Sequence, residues 1–187
     1  MKIDKILEFA KKYHYGQFRK DGVTPYINHP LYICKKLYEL KLTKKELSEE
    51  LDVADFNKYA IALMHDLLED TNASVKEIEE ISNKEVVDSV VALTFKDNHD
   101  NPFGKAKYIM DIANNGNENV FKIKCIDRIC NTLDFIASGD IRYAKIYFHK
   151  ADILWAILYD KKEKYEKLWN AVIELNKEFK KGKRNEN

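Results

Sequence analysis

Apolar positions along this chain recur at helical rather than strand spacing. From residue 144, Ala144, Tyr147, Phe148, Ala151, Leu154, Trp155 and Leu158 form one stripe. A second runs through Tyr165, Leu168, Trp169, Val172, Leu175 and Phe179, with the polar pair Asp160-Lys161 between the two. Ser74-Val75-Lys76-Glu77 and Ser82-Asn83-Lys84-Glu85 both have the form of a capping box, in which side chain and backbone at a helix start satisfy each other. The pattern predicts helices near 3–18, 30–40, 57–69, 74–81, 83–95, 103–115, 119–137, 141–158 and 161–181. Val120 to Ile126 alternates well enough to pass for a strand, but no convincing strand set emerges. The expectation is a single all-α domain over 1–187: a core at about 3–137, a C-terminal helical hairpin at about 141–181, and a frayed polar tail from Lys180.

Composition narrows this further. With 45% apolar and 34% charged residues among 187, the chain is that of a globular protein with a real core. Six glycines and three prolines are too few for the turn chemistry of an all-β fold. The 32 basic and 31 acidic residues nearly cancel, so no bulk field favours nucleic acid or a membrane surface, and an anion site must be local. The apolar run Tyr59 to Met64 is far short of the ~20 residues of a membrane helix, and the charged N-terminus does not read as a signal peptide. Three cysteines, Cys34, Cys125 and Cys130, have neither disulfide nor zinc-pair spacing and read as packing residues in a reducing cytoplasm. Phosphate-loop, dinucleotide and nucleophile-elbow motifs are all missing from the sequence. His149 falls among polar positions and reads as solvated.

The segment Ala60-Ile61-Ala62-Leu63-Met64-His65-Asp66-Leu67-Leu68-Glu69-Asp70-Thr71 is the informative one. On a continuous helix His65 would stack with Glu69 and Asp66 with Asp70, directly after a run with no polar face. Burying a histidine with three carboxylates is costly unless a cation holds them, and a divalent metal with nitrogen and oxygen ligands does so. The alternative is a partly solvated helix end with its acids facing water. His99-Asp100, in a polar loop, shows how little that dipeptide means alone. Two further segments offer donors. His29 precedes Pro30 at a helix start, and Asp127 lies in the apolar run Ile123 to Cys130, with Asn131 one turn later. Taken singly, His29 reads as structural and Asp127 as a partner for Arg128.

Together, His14-Tyr15-Gly16-Gln17, Arg19-Lys20, Pro25-Tyr26-Ile27-Asn28-His29-Pro30, His65 to Thr71, and Lys124-Cys125-Ile126-Asp127-Arg128 with Asn131 resemble the HD-domain phosphohydrolases. The match, over about residues 5 to 137, is to the hydrolase part of the RelA/SpoT family and most of all to its stand-alone small alarmone hydrolases. The resemblance implies an all-α HD-domain bundle that removes the 3′-pyrophosphate from guanosine or adenosine polyphosphates. It implies His29, His65, Asp66 and Asp127 as ligands of one divalent metal, usually manganese. Glu69 and Asp70 would handle the attacking water, Arg19 and Lys20 would line the nucleotide side, and Asn131 would contact the ribose region. The chain departs from the family pattern in a loop one residue longer between Lys20 and Pro25, in Cys130 where histidine or tyrosine is common, and in Leu133 where arginine is common. With 50 residues after Ala137, the expectation is that no synthetase domain follows. Their expected role is packing against the body, with pocket closure and pairing into a homo-oligomer as alternatives. A phosphatase acting on NADPH or a nucleoside monophosphate, and a non-catalytic nucleotide sensor, are the competing functions.

Overall fold

The computed structural model describes residues 2–96 and 103–182, with side chains through Phe179. The elements are α1 (Asp4–Tyr13), α2 (Asn28–Glu39), α3 (Val53–Met64), α4 (Leu67–Asp70), α5 (Val75–Ile81), α6 (Lys84–Leu93), α7 (Gly104–Ala113), α8 (Glu118–Ala137), α9 (Ile141–His149), α10 (Asp152–Asp160) and α11 (Glu166–Gly182). Among the described residues the one extended pairing is an isolated bridge between Phe18 and Pro25. The all-α expectation is therefore borne out. His99-Asp100 and the last part of the polar tail lie outside the described residues. No described helix is long and apolar enough to cross a membrane.

Two compact units divide the chain at Lys124–Cys125, inside α8. The first is built around α3. Asp52 caps that helix by accepting from the Asp55 amide, and the run Tyr59 to Met64 that follows is wholly buried. Helices α1, α2 and α6 pack on α3, and α5 packs on α6. A helix enclosed on every side has to be apolar on every face, as this run is. Its buried tyrosine is satisfied: the Tyr59 hydroxyl donates to the Lys45 carbonyl at 2.6 Å and meets the Thr43 hydroxyl at 2.8 Å.

Local sequence signals are realised in part. Ser74 and Glu77 form the expected capping box at the start of α5. At α6 the cap is Asn83, one residue later than predicted, accepting from the Val86 amide, while the Ser82 hydroxyl turns back to the Ile78 carbonyl. Glu85 is thereby released from capping and accepts instead from the side-chain amides of buried Asn57 at 2.7 Å and of Asn117 at 3.1 Å. Residues 120–126 are helical. Val120, Phe121, Ile123, Cys125 and Ile126 are all buried, so the helix is apolar on more than one face and its sequence alternates by coincidence.

In the second unit, α9 and α10 each pack on α11. The predicted helix over 141–158 is thus two helices, broken at Lys150-Ala151. Lys150 keeps right-handed helical dihedrals (φ −62°, ψ −10°) and Ala151 departs from them (φ −106°, ψ 17°), so the helix is interrupted with little loss of periodicity. Ala144, Phe148, Ala151, Leu154, Trp155 and Leu158 stay buried across the break, and the Trp155 indole N–H donates to the Phe148 carbonyl at 3.0 Å. A stripe can therefore be largely correct in membership and silent about a break.

Candidate active site

The buried helix α3 ends where its polar residues begin. His65 is still helical (φ −57°, ψ −31°), but Asp66 opens to φ −99°, ψ −5°, and α4 restarts at Leu67. The single helix predicted over 57–69 is interrupted here, and the interruption sorts the four ionisable groups. Asp66 and Asp70 stay one turn apart, with the Asp70 amide donating to the Asp66 carbonyl at 2.8 Å. Glu69 goes elsewhere: its Oε2 accepts from the Phe95 amide at 2.9 Å. The predicted stacking of Asp66 with Asp70 is found, whereas Glu69 is drawn aside to Phe95.

His29 enters from α2. It sits in the first turn, before a proline whose missing N–H costs nothing at that position. His29 and His65 are both 2% exposed, with ring centroids 5.4 Å apart. Both aim Nε2 at one carboxylate oxygen, Asp66 Oδ2, at 3.9 Å from His29 and 2.9 Å from His65. The tautomer of His65 follows from its other nitrogen, which lies 2.8 Å from the Ala62 carbonyl. A carbonyl can only accept, so Nδ1–H donates and the neutral ring presents a lone pair from Nε2. A histidine nitrogen facing a carboxylate oxygen at this distance needs a shared cation or proton between them. Two imidazole nitrogens and a carboxylate, oriented by such an outer bond, suit a divalent metal.

Around this cluster lies a shell that sequence reasoning did not assign. The Tyr26 hydroxyl is 2.6 Å from Asp66 Oδ2 and 3.0 Å from Asp70 Oδ2. Burial and the two acids hold its phenol far above the usual range, so it stays a donor. Gln17 donates to the Asp70 carbonyl at 2.8 Å, and its Oε1 meets His14 Nδ1 at 2.7 Å. His14 is itself buried against the Tyr26 ring, with centroids 4.6 Å apart, and burial outweighs its polar neighbours in lowering its pKa. Burial also raises the Glu69 carboxyl, with the Phe95 amide and Lys124 opposing. Tyr26 and Gln17 stand inside the motif stretches already singled out, but a neutral phenol and an amide have no charge or spacing signal of their own.

Arg19 and Lys20 lie on a turn joining Gln17 to Tyr26. The Tyr26 amide donates to the Gln17 carbonyl and the Arg19 amide to the Thr24 carbonyl, at 2.9 and 2.8 Å. Gly22 takes φ +70°, which a side chain would resist. The Asp21 carboxylate then accepts from the amides of Val23 and Thr24 and from the Thr24 hydroxyl. The Arg19 guanidinium lies 5.4 Å over the Tyr26 ring, and Lys20 is exposed. In the second unit, Asp127 is 5% exposed on α8 and accepts from the Asn131 amide at 2.5 Å. The three cysteines are free thiols in the core, and burial pushes the thiols of Cys34 and Cys125 up. His149 is exposed beside Asp152, as expected.

No family model matches the chain. Curated relatives do. A guanosine-3′,5′-bis(diphosphate) 3′-pyrophosphohydrolase of Aquifex aeolicus is 30% identical over 202 residues, covering 94% of this chain and 26% of that protein. One of the same name from Borreliella burgdorferi is 35% identical over 92 residues, 49% of this chain and 12% of the other. The chain thus spans about a quarter or less of the length of these relatives. Among solved structures, one described as a metazoan ortholog of SpoT that hydrolyzes ppGpp matches with TM-score 0.75 at 21% identity, over 94% of both chains. That likeness concerns the fold. The chain is a relative of the HD-type hydrolases of the RelA/SpoT kind, as its motifs implied.

Proposed function

We propose that the chain is a metal-dependent phosphohydrolase that removes the 3′-pyrophosphate of guanosine or adenosine polyphosphates, converting (p)ppGpp to GDP or GTP and pyrophosphate. The observation that carries this reading is the convergence of His29 and His65 on Asp66 in a buried setting. The activity for which the curated relatives are named supports the substrate class. We read residues 1–187 as one hydrolase domain acting in the cytoplasm on a nucleotide, with nucleic acid and membrane as no part of its function.

His29, His65, Asp66 and Asp127 would hold the metal, manganese by the family resemblance. Such an ion makes water a better nucleophile and polarises a phosphoryl oxygen. The remaining work falls to the chain. Asp70, tied through Tyr26 to Asp66, would accept the proton of the attacking water. Glu69, whose carboxyl is raised by burial, is suited to carry a proton onward. Arg19 and Lys20 take the nucleotide body, the arginine with a planar face that also stacks. Asn131, whose amide donates to Asp127, would contact the ribose region by the family resemblance. Water attacks the phosphorus attached to the 3′-oxygen, the P–O3′ bond breaks, and the 3′-oxygen takes up a proton. Pyrophosphate leaves in one piece carrying the water oxygen, and the nucleotide keeps a 3′-hydroxyl.

The test is to incubate the manganese-loaded protein with guanosine and adenosine polyphosphates, NADPH and nucleoside monophosphates in ¹⁸O-labelled water. Pyrophosphate carrying the label supports the reading. Orthophosphate as the primary product, or label in the nucleotide, points to another phosphatase. Nucleotide binding without turnover would identify a sensor.

A further inference from the structure

The Tyr26 hydroxyl touches two carboxylates of different duty, Asp66 Oδ2 at 2.6 Å and Asp70 Oδ2 at 3.0 Å. Asp66 supplies the oxygen on which both histidines converge, and Asp70 is the acid one turn further on. The ring below the hydroxyl is fixed on two sides: His14 packs on it at 4.6 Å between centroids, and the Arg19 guanidinium lies over it at 5.4 Å. Its backbone is fixed as well, since the Tyr26 amide donates to the Gln17 carbonyl and the Tyr26 carbonyl accepts from the His29 amide, each at 2.9 Å. Gln17 closes the circuit by donating to the Asp70 carbonyl. One phenol therefore sits at the junction of the turn bearing Arg19, the helix bearing His29 and the break bearing Asp66.

We propose that Tyr26 is a positioning residue that holds Asp70 in register with Asp66, so that the proton-accepting carboxylate and the metal-binding carboxylate are set by one hydroxyl. The inference rests on the functional reading above and adds a residue to it. Tyr26 does not touch the reacting atoms; it acts through the two aspartates. An outer group that orients a ligand carboxylate typically changes metal affinity about 10–100-fold when removed. Tyr26→Phe removes the hydroxyl and keeps the ring that packs on His14 and under Arg19.

The experiment is a cycle of Tyr26→Phe, Asp70→Asn and the double variant, with circular dichroism confirming that each is folded. Manganese affinity of the metal-stripped proteins is measured by calorimetry, and turnover separately. Tyr26→Phe is expected to weaken manganese binding about tenfold, and to lower kcat with KM nearly unchanged. At saturating manganese the double variant should turn over no more slowly than Asp70→Asn alone, because the hydroxyl then has no proton acceptor left to place. Unchanged manganese affinity in Tyr26→Phe, or losses that multiply in the double variant, would overturn the proposal. If Asp70→Asn itself keeps full turnover, the functional reading of Asp70 fails and this inference falls with it. A normal drop for Asp70→Asn with none for Tyr26→Phe fails the inference alone.

Discussion

The histidine–aspartate cluster and the turn that carries Arg19 lie in the same unit, yet they are built in opposite ways. His29 and His65 are buried, fixed by a helix start and by a bond to the Ala62 carbonyl, and aimed at a single oxygen. The turn from Gln17 to Tyr26 is held by a few backbone bonds and one aspartate, with Lys20 exposed at its tip and Phe18 54% exposed beside it. Burial fixes direction at the cost of adaptability; exposure leaves a side chain free to follow the ligand. On the proposed function, the first region would carry the chemistry and the second the recognition. It can be broken by showing that either region does the other's work.

The largest effect belongs to the buried cluster. Exhaustive chelation should abolish turnover, and His65→Ala should lose bound manganese altogether, measured by calorimetry and metal analysis. Because the ion binds the native state, it should stabilise the wild-type protein by about 2.7 kcal/mol at a hundredfold excess over Kd. His65→Ala should show no such stabilisation in a thermal melt with added manganese. Full activity in a metal-free preparation removes the cluster from the mechanism.

Next comes the pair just beyond it. Glu69→Gln with Asp70→Asn keeps shape and hydrogen-bonding capacity while removing the proton acceptors. Turnover should fall about 10²–10⁴-fold, with manganese still bound. A double variant with unchanged turnover would reduce these acids to the solvated helix end that was the alternative at the outset.

Part of the cluster was conspicuous from its own residues and the turn only through the family resemblance, for physical reasons. His65 and Asp66 stood out because a run with no polar face, Tyr59 to Met64, commits the helix to burial, and ionisable groups placed next to such a run are conspicuous. His29, beside Pro30 at a helix start, read as structural by itself and joined the cluster only through the family resemblance. The break at Asp66 left no trace in the sequence, because one residue at φ −99°, ψ −5° costs little and disturbs no period. That break is what sends Glu69 to the Phe95 amide, a partner 26 positions away that spacing rules cannot reach. Tyr26 was hidden for another reason: its importance lies in two bonds made across 40 and 44 positions by a residue type common in any core. The break between α9 and α10 was invisible because the stripe continues through it. Periodicity reports which residues are buried, and not where a helix is interrupted.

The turn should show a smaller effect of a different kind. Arg19→Ala should raise KM about tenfold or more, consistent with losing a charged hydrogen bond of about 1.5–3 kcal/mol. The same variant should leave kcat and manganese affinity nearly unchanged, since it acts on substrate position. Steady-state kinetics separate the two, and a fall in kcat with KM constant would place Arg19 among the chemical groups and erase the contrast.

The smallest effect tests whether the turn has order of its own. The Asp21 carboxylate accepts from the Thr24 hydroxyl and from the amides of Val23 and Thr24, and these bonds hold its pKa below the usual carboxylate value. A depressed folded-state pKa means stabilisation that is fully present above the unfolded value, about 3.9, and that is lost as pH falls through the folded one. The melting temperature of Asp21→Ala should therefore lie slightly below wild type at pH 6 to 7. The two should converge as the pH drops below about 4. The carboxylate is fully exposed, so the gap should be small at every pH, and raised salt should leave most of it, because the bonds to the Thr24 hydroxyl and to the two amides are the first causes and the Arg19 charge the last. The manganese-induced rise in melting temperature should be the same in both proteins. A gap that persists undiminished at low pH would mean that Asp21 contributes through packing. A changed response to manganese would tie the turn to the cluster more closely than the contrast between buried chemistry and exposed recognition allows.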